Sequence, residues 1–347
     1  MSSLIETDRK LCEIKTKLMQ RPITPINLAE AKNNGKNGKE PIFQYEVNRE
    51  YYNQLWHELK EISTDGTCDM EEIYKSLKEE LEADILMTKS IGTSDFTKYS
   101  IQRFGKPSES LIKKAYHILQ TVEDDKEEEP LSIQEAKDIL KDKLSQLNLD
   151  WKINEKEMTA KAEVLLSNKT LNLKNTKFSE SFVKRLIVHE IGTHIFRGEN
   201  GAQQELKIFE AGFPNNLMTE EGLAAVNEKH FGVMKNSTLR QYAARVVAIE
   251  TALQYGFKDV YKHLTQYLSE EDALTLIIRV KKGLDDTSQP GAYTKDYLYL
   301  KGYLELLETE DINLLYYGRI GIEHMQYVKK GKLNEPRFTR ENIRRLI

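Results

Sequence analysis

The stretch Val188-His189-Glu190-Ile191-Gly192-Thr193-His194 decides how this chain is read. Metal-binding helices commonly carry H-E-x-x-H, whose histidines four residues apart lie roughly 40° from each other around a regular helix. Here the second histidine comes one residue later, giving H-E-x-x-x-H. On a regular helix that spacing would splay the rings by roughly 140°. Both rings can face one ion only where a turn is widened to hold an extra residue, as in a π-bulge. Gly192, inside the motif, best tolerates that distortion, so the helix is expected to bulge near Ile191–Thr193. With that turn, His189 and His194 become ligands for Zn²⁺, one ion per chain. Glu190 then sits beside the metal-bound water as general base and as proton donor to a leaving amine.

The flanking sequence suits such a site. Residues 151–174 carry two short β-like runs around the turn Ser167-Asn168-Lys169, the only substantial strand signal in the chain. Ser179 is a candidate N-cap for the helix that follows, with apolar Phe182, Leu186, Ile187, Ile191 and Ile195. Strand followed by active-site helix is the order used by zinc peptidases of the zincin type.

Composition bounds the rest. The 347 residues are 39% hydrophobic and 31% charged, a globular profile long enough for a large core and two lobes. A net charge of −4 argues against a general nucleic-acid binder. Two cysteines, Cys12 and Cys68, exclude a disulfide scaffold and fit a reducing compartment. The opening MSSLIETDRKLCEIK has charges where a signal peptide needs an apolar core, and no apolar run approaches membrane-spanning length. A cytoplasmic protein with no membrane partner is expected.

Apolar spacing predicts a largely helical chain, α+β in class, with its small sheet just before the motif. Helices are expected at about residues 3–20, 45–62, 69–88, 108–123, 132–147, 219–231, 237–255, 258–268, 270–282, 294–308 and 311–317. Ser132 with Glu135 forms a capping box, Ser269 and Thr294 are candidate N-caps, and Gly283 is a C-terminal cap. The segment ITPINLAEAKNNGKNGKEPIF reads as irregular, most mobile at NNGKNG. The acidic run Glu123–Glu129 suggests a boundary between an N-terminal helical region, 1–125, and a catalytic region, 131–347.

A third ligand must come from downstream. Thr219 caps the next predicted helix and puts Glu220 and Glu221 in its first turn, where acidic residues are common in any helix. Glu199, Glu205, Glu210, Glu228 and His230 compete on spacing alone.

HEIGTH, NGAQQ (Asn200 to Gln204) and TEEGLA (Thr219 to Ala224) together resemble the QEGLA-motif protein family. That family includes the microtubule-associated tyrosine carboxypeptidases (MATCAP). RVKKGLDDTSQPGAYTKDYLYLKG (Arg279 to Gly302), ITPINLAEAK, EPIFQY and FGKPS are similar to further blocks of the family, so the likeness extends over roughly residues 20–320. The resemblance implies a zincin-like metallopeptidase of the glutamate-ligand (gluzincin) type. Position by position it implies His189, His194 and Glu221 as zinc ligands and Glu190 as the catalytic glutamate. Glu220 stands where the motif has Gln, which with Gly192 makes it a neighbour of the ligands rather than one of them. The animal relatives remove a C-terminal tyrosine from α-tubulin, so the implied substrate is a peptide or protein C-terminus, an acidic tail among the candidates.

A carboxypeptidase needs a cation for the substrate α-carboxylate and a donor for the tetrahedral oxyanion. Arg279, Lys282 and Lys295 are the candidate clamps, beside Lys281, and Tyr293 and Tyr299 are candidate substrate contacts. The strand Thr170–Lys174 is expected to offer its edge to a peptide. The basic tail KKGKLNEPRFTRENIRRLI reads as a solvated terminal helix. The competing readings are a non-catalytic binding protein on the same fold, and an aminopeptidase or endopeptidase with the same centre.

Overall fold

The computed structural model describes residues 2–18, 21–125, 130–158, 160–331 and 333–347. Among the described residues the structure is mostly helical with two small sheets, and it divides into two compact units. The first joins Met1–Asp124 to Asn236–Lys301, and the second joins Asp125–Lys235 to Gly302–Ile347. The division after Asp124 falls in the acidic run, most of which, Lys126–Glu129, lies outside the described residues. The segment Asn236–Lys301, placed by the sequence within 131–347, clusters with the N-terminal helices.

The first unit is helical. Its long helix Asn236–Ala252 buries Val246, Val247, Ala248 and Ile249 and packs on Glu109–Thr121, Phe257–Leu264 and Glu270–Lys281. Arg240 on that helix donates to Leu119 O (2.8 Å) and Val122 O (2.6 Å), satisfying carbonyls at the end of Glu109–Thr121. The segment read as irregular holds a helix, Leu28–Lys36, in which NNGK is the last turn. Gly35 there packs so closely on Leu274 and Phe257 that a Cβ would meet Leu274 Cδ1 at 2.6 Å. Tertiary packing, invisible in a Gly- and Asn-rich stretch, outweighs weak propensity. EPIFQY meets GLDDTSQPG: Phe43 N donates to Asp285 O (2.8 Å), Thr287 Oγ1 to Pro41 O (2.6 Å) and Gly283 N to Tyr45 Oη (2.7 Å). Gly283 ends the helix Glu270–Lys281 with φ +93°, as a C-terminal cap requires. Ser269 caps its start by accepting from Asp272 N. Thr294 is not a cap; it opens a 3₁₀ turn, Thr294–Tyr297, and its hydroxyl donates to Ser100 O.

In the second unit Ser132 and Glu135 form the expected capping box at Ile133–Gln146. A three-stranded sheet follows, in spatial order Lys152–Glu155, Thr170–Leu173, Ala162–Leu165. The hairpin turns through a 3₁₀ segment, Leu166–Asn168, and Lys169 in the left-handed region. Thr170–Leu173 is the buried central strand, parallel to one neighbour and antiparallel to the other. It therefore has no edge to offer a peptide, contrary to the sequence reading. Alternation in a four-residue run cannot tell a central strand from an edge. Ser179 caps the motif helix, whose regular start is Glu180–Leu186.

Among the described residues the basic tail is not wholly solvated, although Lys329, Lys330, Arg344 and Arg345 are exposed. Phe338 stacks on Phe196 (centroids 4.6 Å apart, planes 13° apart), Asn200 brackets Phe338 through both its backbone groups, and Ile343 is fully buried. No helix among the described residues is long and apolar enough to cross a membrane.

Candidate metal centre

The motif lies in a π-helix spanning Ile187–Ile195, followed by a regular turn, Phe196–Gly201. The widened turn expected at Ile191–Thr193 is present and extends over nine residues. Thr193 Oγ1 reaches back five residues to Val188 O, at 3.1 Å. At Gly192 a Cβ would come within 2.7 Å of Ile343 Cγ1. The glycine thus serves a close approach as well as the bend.

The widening brings the two imidazoles together, with centroids 4.9 Å apart and planes at 76°. Donor atoms of His189, Glu190 and His194 all lie within 4.8 Å of one another. The neighbouring helix Asn216–His230 contributes the rest. Glu221 Oε2 lies 3.7 Å from His189 Nε2 and 4.0 Å from His194 Nε2. Ligands about 2.0–2.2 Å from a tetrahedral ion sit roughly 3.3–3.6 Å from one another. Two imidazole nitrogens and a carboxylate oxygen at these separations could hold a divalent cation with a small closure of the side chains.

That helix starts earlier than its sequence suggests, at Asn216 after Asn215 in the left-handed region. Thr219 is therefore not its cap; its hydroxyl accepts from Ile322 N at 3.0 Å. Glu220 and Glu221 fall in the second turn. Gly222 of EEGLA packs on the backbone of Gly302, where a Cβ would collide.

Each histidine is held from behind by a buried carboxylate. His189 Nδ1 meets Glu228 Oε1 at 2.5 Å, and Glu228 Oε2 faces Arg185 Nε at 2.9 Å. His194 Nδ1 meets Glu220 Oε1 at 2.9 Å, and Glu220 Oε2 faces Arg197 Nη1 at 2.5 Å. Arg197 is fully buried and also donates from Nε to Leu315 O and Gly318 O and from Nη2 to Ile320 O. Fixing Nδ1 in this way sets the ring orientation and presents Nε2 to the site. Glu228, weighed as a ligand, instead holds the His189 imidazole from behind. Glu199 is engaged by Trp151 and Lys169, Glu210 lies beside Lys207, and Glu205 and His230 are exposed.

Electrostatics follow from this crowding. Burial alone would lower His189, but Glu190, Glu221 and Glu228 around it push it up to about 10. Burial would raise the Glu220 carboxyl, yet Arg197, Arg319 and His194 hold it well below the usual carboxylate range. A dication would relieve the concentration of carboxylates around His189.

Arg279, Lys282, Tyr293, Lys295 and Tyr299 all belong to the first unit, and His189, Glu190, His194 and Glu221 to the second. Arg279 grips both oxygens of the buried Asp296. Lys281 is buried among Ala252 O, Tyr255 O and Gln289 O, so it is no clamp. Lys282 reaches Thr24 Oγ1 at 3.4 Å; burial, then Arg279, lowers it to about 8. Tyr293 packs on Phe96 and Phe104, and Tyr299 lies between Tyr242 and the Arg245 guanidinium, 4.3 Å from its ring. Sequence reasoning missed the supports Arg185, Arg197 and Arg319. The available signal was Arg185 four residues before His189 and Arg197 three after His194.

The fold and site define a class: a mostly helical chain with a largely buried His–Glu–His set on a widened helix and a carboxylate on the next one. The family model for the microtubule-associated tyrosine carboxypeptidases matches residues 31–346, and the chain belongs to that family. Human "putative tyrosine carboxypeptidase MATCAP2" is 33% identical over 176 residues, 46% of this chain and 32% of that protein. Mouse "microtubule-associated tyrosine carboxypeptidase 1" is 30% identical over 184 residues, 50% of this chain and 39% of that protein. The matched parts span less than half the length of these relatives.

Proposed function

We propose that this chain is a zinc-dependent carboxypeptidase with a zincin-like catalytic region, acting on the C-terminus of a peptide or protein. The observation that carries the reading is the convergence of His189 Nε2, His194 Nε2 and Glu221 Oε2 beside Glu190. The donor chemistry, two imidazoles and one carboxylate, suits one zinc ion per chain. Zinc bound there would supply Lewis acidity toward the scissile carbonyl and lower the pKa of a water molecule.

The chain's own residues do the remaining work. Glu190 accepts the proton from the attacking water and returns it to the leaving amine. Glu228 and Glu220 keep the imidazole rings aimed. Arg279 is not proposed as the clamp for the substrate α-carboxylate, because its guanidinium is already committed to both oxygens of Asp296. The names of the relatives make a C-terminal tyrosine the first substrate residue to try. A cytoplasmic setting belongs to the same proposal. The intact Glu190 favours an enzyme over a non-catalytic binding protein.

The test is mass spectrometry of peptides ending in Tyr, Phe, Leu, Glu or Lys after incubation with zinc-loaded protein. Loss of a single C-terminal residue, with Tyr fastest, supports the proposal. Internal cleavage or N-terminal trimming would replace it with the endopeptidase or aminopeptidase reading, and no turnover on any peptide would remove the enzyme reading.

A further inference from the structure

The helix that carries Glu221 also carries Asn227, which is fully buried. Its amide sits at the centre of a closed hydrogen-bond network. Asn227 Nδ2 donates to Thr193 Oγ1 at 2.8 Å and to Tyr316 Oη at 2.9 Å. Thr193 Oγ1 in turn donates to Val188 O, and Tyr316 Oη donates to Gly192 O at 3.1 Å. Arg340 Nε donates to Asn227 Oδ1 at 2.9 Å, which fixes the amide with its NH₂ toward the two hydroxyls. Both chains of bonds end on carbonyls of the π-helix, at Val188 and Gly192. Thr193, Asn227 and Tyr316 are each 0% exposed, so water cannot take over these roles. Burial raises the Tyr316 hydroxyl to about 12, which keeps it a donor.

We propose that Asn227 is a positioning residue that, through Thr193 and Tyr316, locks the widened turn and so sets the separation of His189 and His194. The inference rests on the metal reading above. A regular helix would carry His194 roughly 100° further round for the extra residue. A π-turn has poorer intrinsic geometry than an α-turn and persists where surrounding contacts favour it. Asn227 supplies such contacts from the same helix that supplies Glu221, so the bulge and the third carboxylate are set by one rigid element. The polar atoms are matched: two N–H donors meet two hydroxyls, and one oxygen meets Arg340.

The experiment compares full-length wild type with Asn227→Leu and Tyr316→Phe, the second removing one hydroxyl and keeping the ring. Zinc affinity is measured by competition with a chelator, and coordination geometry by the visible absorption of the Co²⁺-loaded protein. Helix content and the unfolding transition of the metal-free protein report on folding. The expected result is roughly a 10- to 100-fold loss of zinc affinity with an altered Co²⁺ spectrum in both variants. Metal-free Tyr316→Phe should keep wild-type helix content, since a merely structural role would lower stability without moving the Co²⁺ spectrum. If Asn227→Leu does not fold, Tyr316→Phe decides. Unchanged affinity and spectrum in a folded variant, with zinc bound by wild type, overturn the inference alone. A wild type that takes up no zinc overturns the metal reading and the inference with it.

Discussion

His189 Nδ1 lies 2.5 Å from Glu228 Oε1, and Glu228 stands two helical turns beyond Glu221 on the same helix. One helix therefore supplies both the candidate carboxylate ligand and the support of the histidine facing it. Replacing Glu228 by Gln keeps a hydrogen-bond partner for the imidazole and removes the charge that balances Arg185. Zinc affinity is expected to fall roughly 10- to 100-fold, as for other carboxylates behind metal-bound histidines. Chelator competition measures this, and wild-type affinity in the variant would show that Glu228 does not tune the ligand.

Glu190→Gln separates chemistry from binding. The amide cannot take a proton from water, so turnover should drop by roughly 10²- to 10⁴-fold or more. Zinc content should stay at the wild-type level, because Glu190 is not one of the three proposed ligands. Peptide hydrolysis followed alongside elemental analysis checks both halves. Near-normal turnover would assign the proton transfer to another group.

Gly192→Ala should destabilise through one contact. The new Cβ would meet Ile343 Cγ1 at 2.7 Å and Cδ1 at 2.8 Å, closer than carbon atoms approach. Overpacking of this kind costs about 1–3 kcal/mol. Trimming Ile343 to Ala in the same chain should restore part of the loss, which urea unfolding of the four variants in a cycle would show. Additive losses would place the strain in the backbone instead.

The Arg279–Asp296 pair gives a pH dependence. Arg279 beside Asp296 outweighs burial and holds this carboxyl well below its ordinary value of 3.8. Its folded pKa is depressed, so the stability it contributes is present above about pH 4 and is lost as pH falls toward the folded value. Asp296→Asn should cost about 3 kcal/mol at pH 7, as breaking a buried pair does. Urea unfolding from pH 7 down to pH 3 should show the gap between wild type and variant closing at the acid end. A gap that stays constant would mean the pair contributes no charge-dependent stability.

How much of this was legible in the sequence depends on the range of the contacts. The π-turn could be foreseen because two rings five residues apart can face one point only on a widened turn, and Gly192 marked the place. The capping box at Ser132 and the caps Ser179 and Gly283 are local chemistry and were equally readable. The start of the Asn216–His230 helix was not, because Asn215 enters the left-handed region and Thr219 is drawn to Ile322. Glu228 looked like a competing ligand because spacing gives the face of a helix and not the depth at which a side chain stops. The tail 329–347 looked solvated because its charges dominate its composition. Phe338, Arg340 and Ile343 use partners more than a hundred residues away, at Asn200, Asn227 and Gly192. Sequence order also hid the return of 236–301 to the N-terminal unit.

The central claim is that His189, His194 and Glu221 hold one zinc ion, and elemental analysis of the full-length protein tests it most directly. After zinc loading and dialysis against metal-free buffer, wild type should retain one zinc per chain, and folded His194→Ala and Glu221→Ala variants should retain almost none. A wild type that comes through dialysis without zinc, or variants that keep it in full, would contradict the account.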